Sequence, residues 1–270
     1  MAKVVFWSPR SALTGATHSL IAVSSLTAID NKFSSLILQG HWQNKRIESA
    51  FTAYQDLKAM DVFNNSNIGM SALGRLIDSN KLTSEGIKNY AKPVLKNRLD
   101  VLYGLNTKER DAYRKMFENM SYILERADEA YDMVYFDSPK GQNFLAVTNI
   151  LKSADVIVVT LMQNSIDLDE VLSVYDSIGI LKEKKHIILV GNYSPNSKYT
   201  LFNIKNKYKI KSPMFAVPHC TAFADAVNDG NVVDFLFKNL NAKPNDEIGY
   251  FISETRKAEK AIMSLISGKL

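Results

Sequence analysis

The feature that most constrains this chain lies near its start. Val4-Val5-Phe6-Trp7 is an apolar run of strand type. Ser8-Pro9-Arg10-Ser11-Ala12-Leu13-Thr14 cannot prolong it inside a sheet, because Pro9 has no N–H to give to a ladder. After Gly15-Ala16-Thr17-His18 the sequence becomes small and apolar from Leu20 to Thr27, which predicts a helix. Strand, tight turn and helix in this order is the geometry of a phosphate-binding loop, where the first amides of the helix face an anion. The usual pattern is a glycine, four residues, then Gly-Lys-Ser/Thr. With Gly15 as the second glycine, Arg10 takes the first glycine's place and Ala16 the lysine's, while Thr17 keeps the hydroxyl.

The rest of the chain repeats the alternation. Apolar runs at Leu36-Ile37-Leu38, Leu99 to Tyr103, Met133 to Phe136, Val156 to Leu161, Ile187 to Val190 and Met214 to Val217 predict strands. They are continuous rather than alternating, as in strands covered on both faces. Helical stretches separate them: Ile47 to Leu57, Ser71 to Ile77, Lys108 to Ala127, Asn143 to Leu151, Asp167 to Leu181 and Tyr199 to Tyr208. This order predicts an α/β protein with a doubly wound, mostly parallel sheet flanked by helices. Twelve glycines and seven prolines mark no linker, and 46% apolar residues supply an ample core, so residues 1–270 read as one domain.

A net charge of +5 permits contact with nucleic acid or an anionic membrane without demanding either. Lys182, Lys184, Lys185, Lys198, Lys205, Lys207, Lys209 and Lys211 make one basic region, either a solvated face or a surface for DNA. From Asp246 to Leu270, Ile248, Phe251, Ile252, Ala258, Ala261, Ile262, Leu265 and Ile266 recur at helical spacing. That amphipathic stripe either packs on its own sheet or lies on a membrane. The single cysteine, Cys220, excludes an internal disulfide and suits a reducing cytoplasm. The four histidines show no metal-ligand spacing, and His18 is expected on a helix surface. The apolar run at Val4 is too short for a signal peptide core, and Val156 to Met162 is far below spanning length. A cytoplasmic chain is expected.

In doubly wound sheets, ligands sit at the carboxyl ends of the strands. Here those ends read Gln39-Gly40-His41-Trp42, Asp137-Ser138-Pro139-Lys140-Gly141, Gly191-Asn192-Tyr193 and Val217-Pro218-His219. An apolar strand followed by Asp-Ser-Pro-Lys-Gly resembles the Walker B and switch II segment of the ParA/MinD family of deviant P-loop ATPases. Gly191-Asn192-Tyr193 falls where that family places an asparagine near the nucleotide base. Val217-Pro218, then Ala222 to Ala226 and Gly230, is similar to its late proline strand with a short helix and glycine. The resemblance covers nearly the whole chain and is nearest to the TadZ/CpaE-like branch, which helps position pilus or secretion machinery. It implies a SIMIBI-type P-loop fold, ATP or ADP with Mg2+, a homodimer closed across the P-loop face, and a protein partner in a localised complex.

Carried onto this sequence, the resemblance makes Asp137 and Gln39 the catalytic positions and Thr17 with Asp137 the metal ligands. Arg10, Ser11, Gly15, Ala16, Thr17, His18, Asn192 and Pro218 become the nucleotide contacts. The departures are as informative as the matches. The family's Lys-Gly-Gly-x-Gly-Lys-Thr reads Ser11-Ala12-Leu13-Thr14-Gly15-Ala16-Thr17 here, so both lysines are replaced. A hydrogen bond to a charged group is worth ~1.5–3 kcal/mol, which implies weak nucleotide binding. Arg10 and Lys140 are the basic groups available at the dimer face. The second strand ends in Gln39 and His41 where the family has Asp-x-Asp. Gln39 orients a water without ionising, and His41 is a poor ligand for Mg2+, which prefers oxygen.

Simpler roles stay open for the same residues. Gly15 and Thr17 suit a helix start, Asp137 suits the cap of a helix after Gly141, and Asn192 suits an ordinary turn. The expectation is a spatial organiser with a degenerate site and weak or no ATP hydrolysis. The alternatives are a slow ParA-type ATPase in DNA or plasmid partition, and a nucleotide-free scaffold.

Overall fold

The computed structural model describes residues 1–10, 14–42, 46–62, 68–105, 107–141 and 145–268, with backbone alone for residues 46 and 60–62. Eight strands form one sheet: β1 (Ala2–Trp7), β2 (Ser35–Gln39), β3 (Lys92–Leu95), β4 (Leu99–Val101), β5 (Met133–Asp137), β6 (Val156–Met162), β7 (His186–Tyr193) and β8 (Met214–Pro218). Their order is β3-β4-β2-β5-β1-β6-β7-β8. Every pairing is parallel except that of β3 with β4. This is the doubly wound, mostly parallel architecture expected from the alternation.

Helices α1 (Ala16–Asp30), α2 (Arg46–Ser49), α3 (Tyr54–Val62), α4 (Gly69–Asp78) and α5 (Ser84–Tyr90) precede β3. Between β4 and β6 lie α6 (Arg110–Glu118), α7 (Met120–Ala130) and α8 (Leu145–Ser153). After β6 come α9 (Ser165–Leu172), α10 (Gly179–Glu183), α11 (Leu201–Tyr208), α12 (Thr221–Asp229), α13 (Val232–Asn239) and α14 (Glu247–Ile266).

Three expected helices are broken, two of them at specific contacts. The stretch Ile47 to Leu57 divides into α2 and α3. Between them Thr52 Oγ1 takes Lys92 Nζ at 2.9 Å and shares a 2.6 Å hydrogen bond with the Tyr103 hydroxyl. Lys108 to Ala127 is interrupted at Asn119, whose amide nitrogen donates back to the Lys115 carbonyl. Asp167 to Leu181 becomes α9, a 3-10 turn at Tyr175–Ser177, and α10. The stretch beginning at Asn143 forms α8 from Leu145, and Asn143 itself lies outside the described residues.

Two apolar cores sandwich the sheet. One face carries α4, α5 and α7 to α11 against side chains such as Val5, Trp7, Phe136 and Val190. The other carries α1, α12, α13 and α14 against Phe6, Tyr135, Val158 and Leu189. Helix α1 is buried on nearly every side, from Thr17 to Ala28, as a helix without a polar face must be. Two of its hydroxyls bond back within the helix: Ser24 Oγ donates to the Leu20 carbonyl at 2.6 Å and Thr27 Oγ1 to the Val23 carbonyl at 2.9 Å. Burial on all sides fixes its N-terminus against the carboxyl edge of the sheet.

Of the two roles open to the C-terminal stripe, packing on the domain is the one realised. Phe251, Ile252, Ala258, Ala261, Ile262 and Leu265 of α14 are buried against β6, β7, β8 and α1. Among the described residues no helix is long and apolar enough to cross a membrane.

Candidate functional site

Register brings the candidate residues together. Asp137, the last residue of β5, pairs with Phe6 of β1 on one side and Gln39 of β2 on the other. Its carboxylate is fully buried, at 0% exposure. Thr17, in the first turn of α1, donates its hydroxyl to Asp137 Oδ2 at 2.6 Å. Among the described residues, Asp137 takes its hydrogen bond from α1. It answers a hydroxyl 120 positions away in sequence.

The turn ahead of α1 rests on β7. Gly15 is in the left-handed region at φ 70°, as the residue preceding the helix. A Cβ added to Gly15 would stand 3.2 Å from the backbone and side-chain amide of Asn192. A Cβ on Gly191 would meet the Thr14 carbonyl at 2.2 Å. Close backbone approach is what the two glycines provide. Asn192 itself is exposed, with φ 48°, at a bulge where β7 shifts register against β8. It combines the turn role with a place beside the loop.

The Asp-Ser-Pro-Lys-Gly segment is tied to β1. Ser138 N donates to the Phe6 carbonyl at 2.9 Å, Gly141 N to the Ser8 carbonyl at 2.9 Å, and Trp7 Nε1 to the Gly141 carbonyl at 2.9 Å. Thr14 Oγ1 bonds Thr160 Oγ1 of β6 at 3.1 Å. Around the turn, three buried polar atoms have no hydrogen-bond partner among the described residues: Ser8 Oγ, Ser19 Oγ and Asp137 Oδ1. Unpaired buried polar atoms are costly in a finished core, and ordered water, an ion or a ligand can complete the set.

The remaining positions differ in character. Gln39 is buried, and its Nε2 donates to Glu48 Oε1 and Oε2 at 3.1 and 2.9 Å. Glu48 also accepts Gly104 N at 2.6 Å. The side chain expected to orient a water is thus held by a carboxylate that no sequence pattern brought to attention. His41 lies on the open side of the site, with Nε2 3.3 Å from Asp137 Oδ1. Ala16 begins α1 where the pattern has its lysine, and Arg10 is exposed. Ser11 lies outside the described residues. His18 is half-buried rather than on an open helix surface, with its ring edge-on to Phe223 at 6.4 Å.

Pro218 is buried at the end of β8 and pairs with Tyr193, whose carbonyl accepts His219 N at 3.0 Å. Beyond it opens a cleft of about 660 Å³ lined by Asn192, Tyr193, His219, Asp246, Glu247 and Tyr250. Two of its carboxylates already have work: Asp246 Oδ1 caps α14 through Gly249 N at 2.7 Å, and Glu247 Oε1 takes Thr221 N at 2.9 Å. Cys220 is buried, and burial pushes its thiol up from the ordinary range. In the basic region, Lys184 and Lys185 donate to the carbonyls of Ala154 and Leu265, and Lys207 pairs with Asp169 at 3.0 Å.

Adenine nucleotide fits: the first amides of α1, the Ser8 hydroxyl and the left-handed Gly15 suit phosphate, and the cleft beside Asn192 has room for a base. For a divalent cation the set is thin, offering the hydroxyl of Thr17 and the carboxylate of Asp137, whose second oxygen already meets His41 at 3.3 Å.

No protein-family model matches the chain, and no curated protein matches it. Its fold does match solved structures. The cell division ATPase MinD of Pyrococcus furiosus aligns with a TM-score of 0.68 at 12% identity, over 98% of this chain and 100% of that one. The septum site-determining protein MinD of Pyrococcus horikoshii OT3, complexed with Mg-ADP, gives 0.66 at 11% identity over 100% and 99%. A ParA family ATPase from Chlorobium tepidum TLS gives 0.66 at 12% over 93% and 96%. Likeness at this identity establishes the fold, that of MinD and ParA P-loop proteins.

Proposed function

We propose that the chain is a ParA/MinD-like spatial organiser of the TadZ type, with a degenerate nucleotide site. It would position a pilus, secretion or other macromolecular complex with weak or no ATP hydrolysis. The observation that carries this reading is the 2.6 Å hydrogen bond from Thr17 to buried Asp137 beneath the Gly15 turn. The two residues offered as metal ligands meet at the carboxyl edge of the sheet, where a P-loop protein holds its phosphates.

In this reading ATP or ADP lies with its phosphates on the first amides of α1 and its base in the cleft beside Asn192, Pro218 supporting that wall. Mg2+ supplies neutralisation of phosphate charge when present, and Thr17 and Asp137 are the residues to hold it. The solved MinD complexed with Mg-ADP supports the pairing of this fold with that ligand. Hydrolysis is slow or absent because Ala16 leaves the turn without a lysine and Gln39 is engaged by Glu48.

The same edge supports a homodimer. Arg10 and Lys140 are exposed there, and Leu145, Ile166 and Phe202 leave large apolar side chains exposed at the starts of α8, α9 and α11. These helices follow β5, β6 and β7, so the patch continues from the turn. A second copy closes on this face, and a protein partner in the localised complex binds the pair.

Calorimetric titration with ATP and ADP tests the reading. The expected affinity is high-micromolar to millimolar, and Ala16→Lys tightens it by roughly tenfold to a hundredfold, the equivalent of one charged hydrogen bond. Thr17→Ala removes the Mg2+ dependence. No heat at millimolar nucleotide, or unchanged affinity in Ala16→Lys, would transfer the assignment to a nucleotide-free scaffold.

A further inference from the structure

We propose that His41 is a stopper on the cation position: its imidazole occupies Asp137, so the chain favours metal-free adenine nucleotide and admits Mg2+ only when the ring is displaced. The proposal rests on the reading of this turn as the nucleotide site, and it names the residue that decides which form of the nucleotide enters.

Both oxygens of Asp137 are already in contact with a side chain. Thr17 donates to Oδ2 at 2.6 Å, and His41 Nε2 stands 3.3 Å from Oδ1. The aspartate is fully buried, whereas the His41 side chain is 28% exposed. Among the described residues, the imidazole is thus the group that stands on Oδ1 from the open side. A gap of 3.3 Å has no room for an ion and its waters. Mg2+ sheds water reluctantly and takes oxygen rather than a ring nitrogen, so it cannot share the carboxylate with His41. Ring and ion are alternatives at one oxygen.

The segment that carries the ring is built to keep it there. Gly40 N donates to the Asp137 carbonyl at 2.9 Å, so consecutive residues hold the backbone and the side chain of the same aspartate. The Gly40 carbonyl takes the Tyr113 hydroxyl at 2.6 Å. A Cβ on Gly40 would stand 2.7 Å from Phe136, 2.8 Å from Phe117 and 2.9 Å from Pro139, so the chain lies close on the end of β5. On the other side of His41, the Trp42 ring stacks on Tyr113 with centroids 6.0 Å apart, and its Nε1 donates to the Thr107 carbonyl at 3.2 Å. Residues 40 and 42 are both anchored, so the imidazole is pre-placed over Asp137 and competes with an ion from solution at high effective concentration. A ring in place about nine-tenths of the time lowers the apparent affinity for the ion about tenfold.

The test uses the full chain in thermal unfolding and in calorimetric titration with ADP, each with and without Mg2+. In the wild type, Mg2+ alone should leave Tm unchanged and should alter ADP affinity by less than about threefold. His41→Ala and His41→Ser both remove the ring. In these variants Mg2+ should tighten ADP by roughly tenfold or more. Without nucleotide, Mg2+ at about ten times its Kd should raise their Tm by roughly 2–5 °C. Adding Asp137→Asn to His41→Ala should remove both effects. The proposal is overturned if the wild type responds to Mg2+ as strongly as the His41 variants, or if neither responds. It is equally overturned if the response survives Asp137→Asn. The nucleotide-free measurement separates the two readings. A Mg2+ shift of Tm confined to the His41 variants, with no ADP heat in any chain, rejects the nucleotide site and keeps the stopper. ADP binding with the same Mg2+ response in all three chains rejects the stopper alone.

Discussion

Replacing Thr17 by Val removes one hydroxyl and nearly preserves shape, so it isolates the bond on which the site is built. In the native protein Thr17 Oγ1 donates to Asp137 Oδ2 at 2.6 Å, and both side chains are buried. The other carboxylate oxygen accepts no hydrogen bond among the described residues. Among the described residues, the variant thus leaves this buried carboxylate with only the His41 contact at 3.3 Å. A hydrogen bond to a charged group contributes about 1.5–3 kcal/mol. Across a chain of this size that corresponds to a fall in Tm of roughly 3–10 °C. The charge is the origin of the penalty, so neutralising it should relieve it. In an Asp137→Asn background the same Thr17→Val change should cost only about 0.5–1.5 kcal/mol, the value for a neutral bond. Thermal and urea unfolding of the wild type, both single variants and the double variant give the coupling directly. The reasoning fails if Thr17→Val costs less than about 0.5 kcal/mol, or the same in both backgrounds.

Two further outcomes are expected. Gly191→Ala should lower stability by about 1–3 kcal/mol and abolish nucleotide heat, because its methyl would lie 2.2 Å from the Thr14 carbonyl and push the turn away from β7; a variant with native Tm and native titration would show that the turn tolerates displacement. Glu259 of α14 is buried and accepts Asn31 Nδ2 at 3.0 Å, and burial raises its carboxyl above the ordinary range. The folded chain therefore holds this proton more tightly than the unfolded one, and the contribution to stability is lost as pH rises from the unfolded value, about 4.3, through the folded one. Glu259→Gln should match the wild type in Tm near pH 4 and exceed it at pH 7 to 8, and a gap independent of pH would count against this.

The sequence by itself determined the sheet. Six apolar runs and the first strand are long, continuous and separated by helical spacing, and burial on both faces leaves such runs few alternatives. The strand it did not show is β3, where Lys92-Pro93 lacks an apolar pattern and pairs only at the edge, the place a proline can occupy. The breaks in the expected helices were also invisible, because Thr52 leaves its helix to meet Tyr103 and Lys92. In the site, the sequence named Gly15, Thr17, Asp137 and Asn192 as separate motifs. Only the tertiary structure put Gly15 against Asn192 and Thr17 on Asp137, since strand order and register set those distances. Only the structure, too, turned Gln39 toward Glu48 and set His41 against the second oxygen of Asp137. A residue's chemistry is legible from its type, but its hydrogen-bond partner depends on which distant backbone the fold brings within 3 Å or so, and buried polar groups take whichever partner is there.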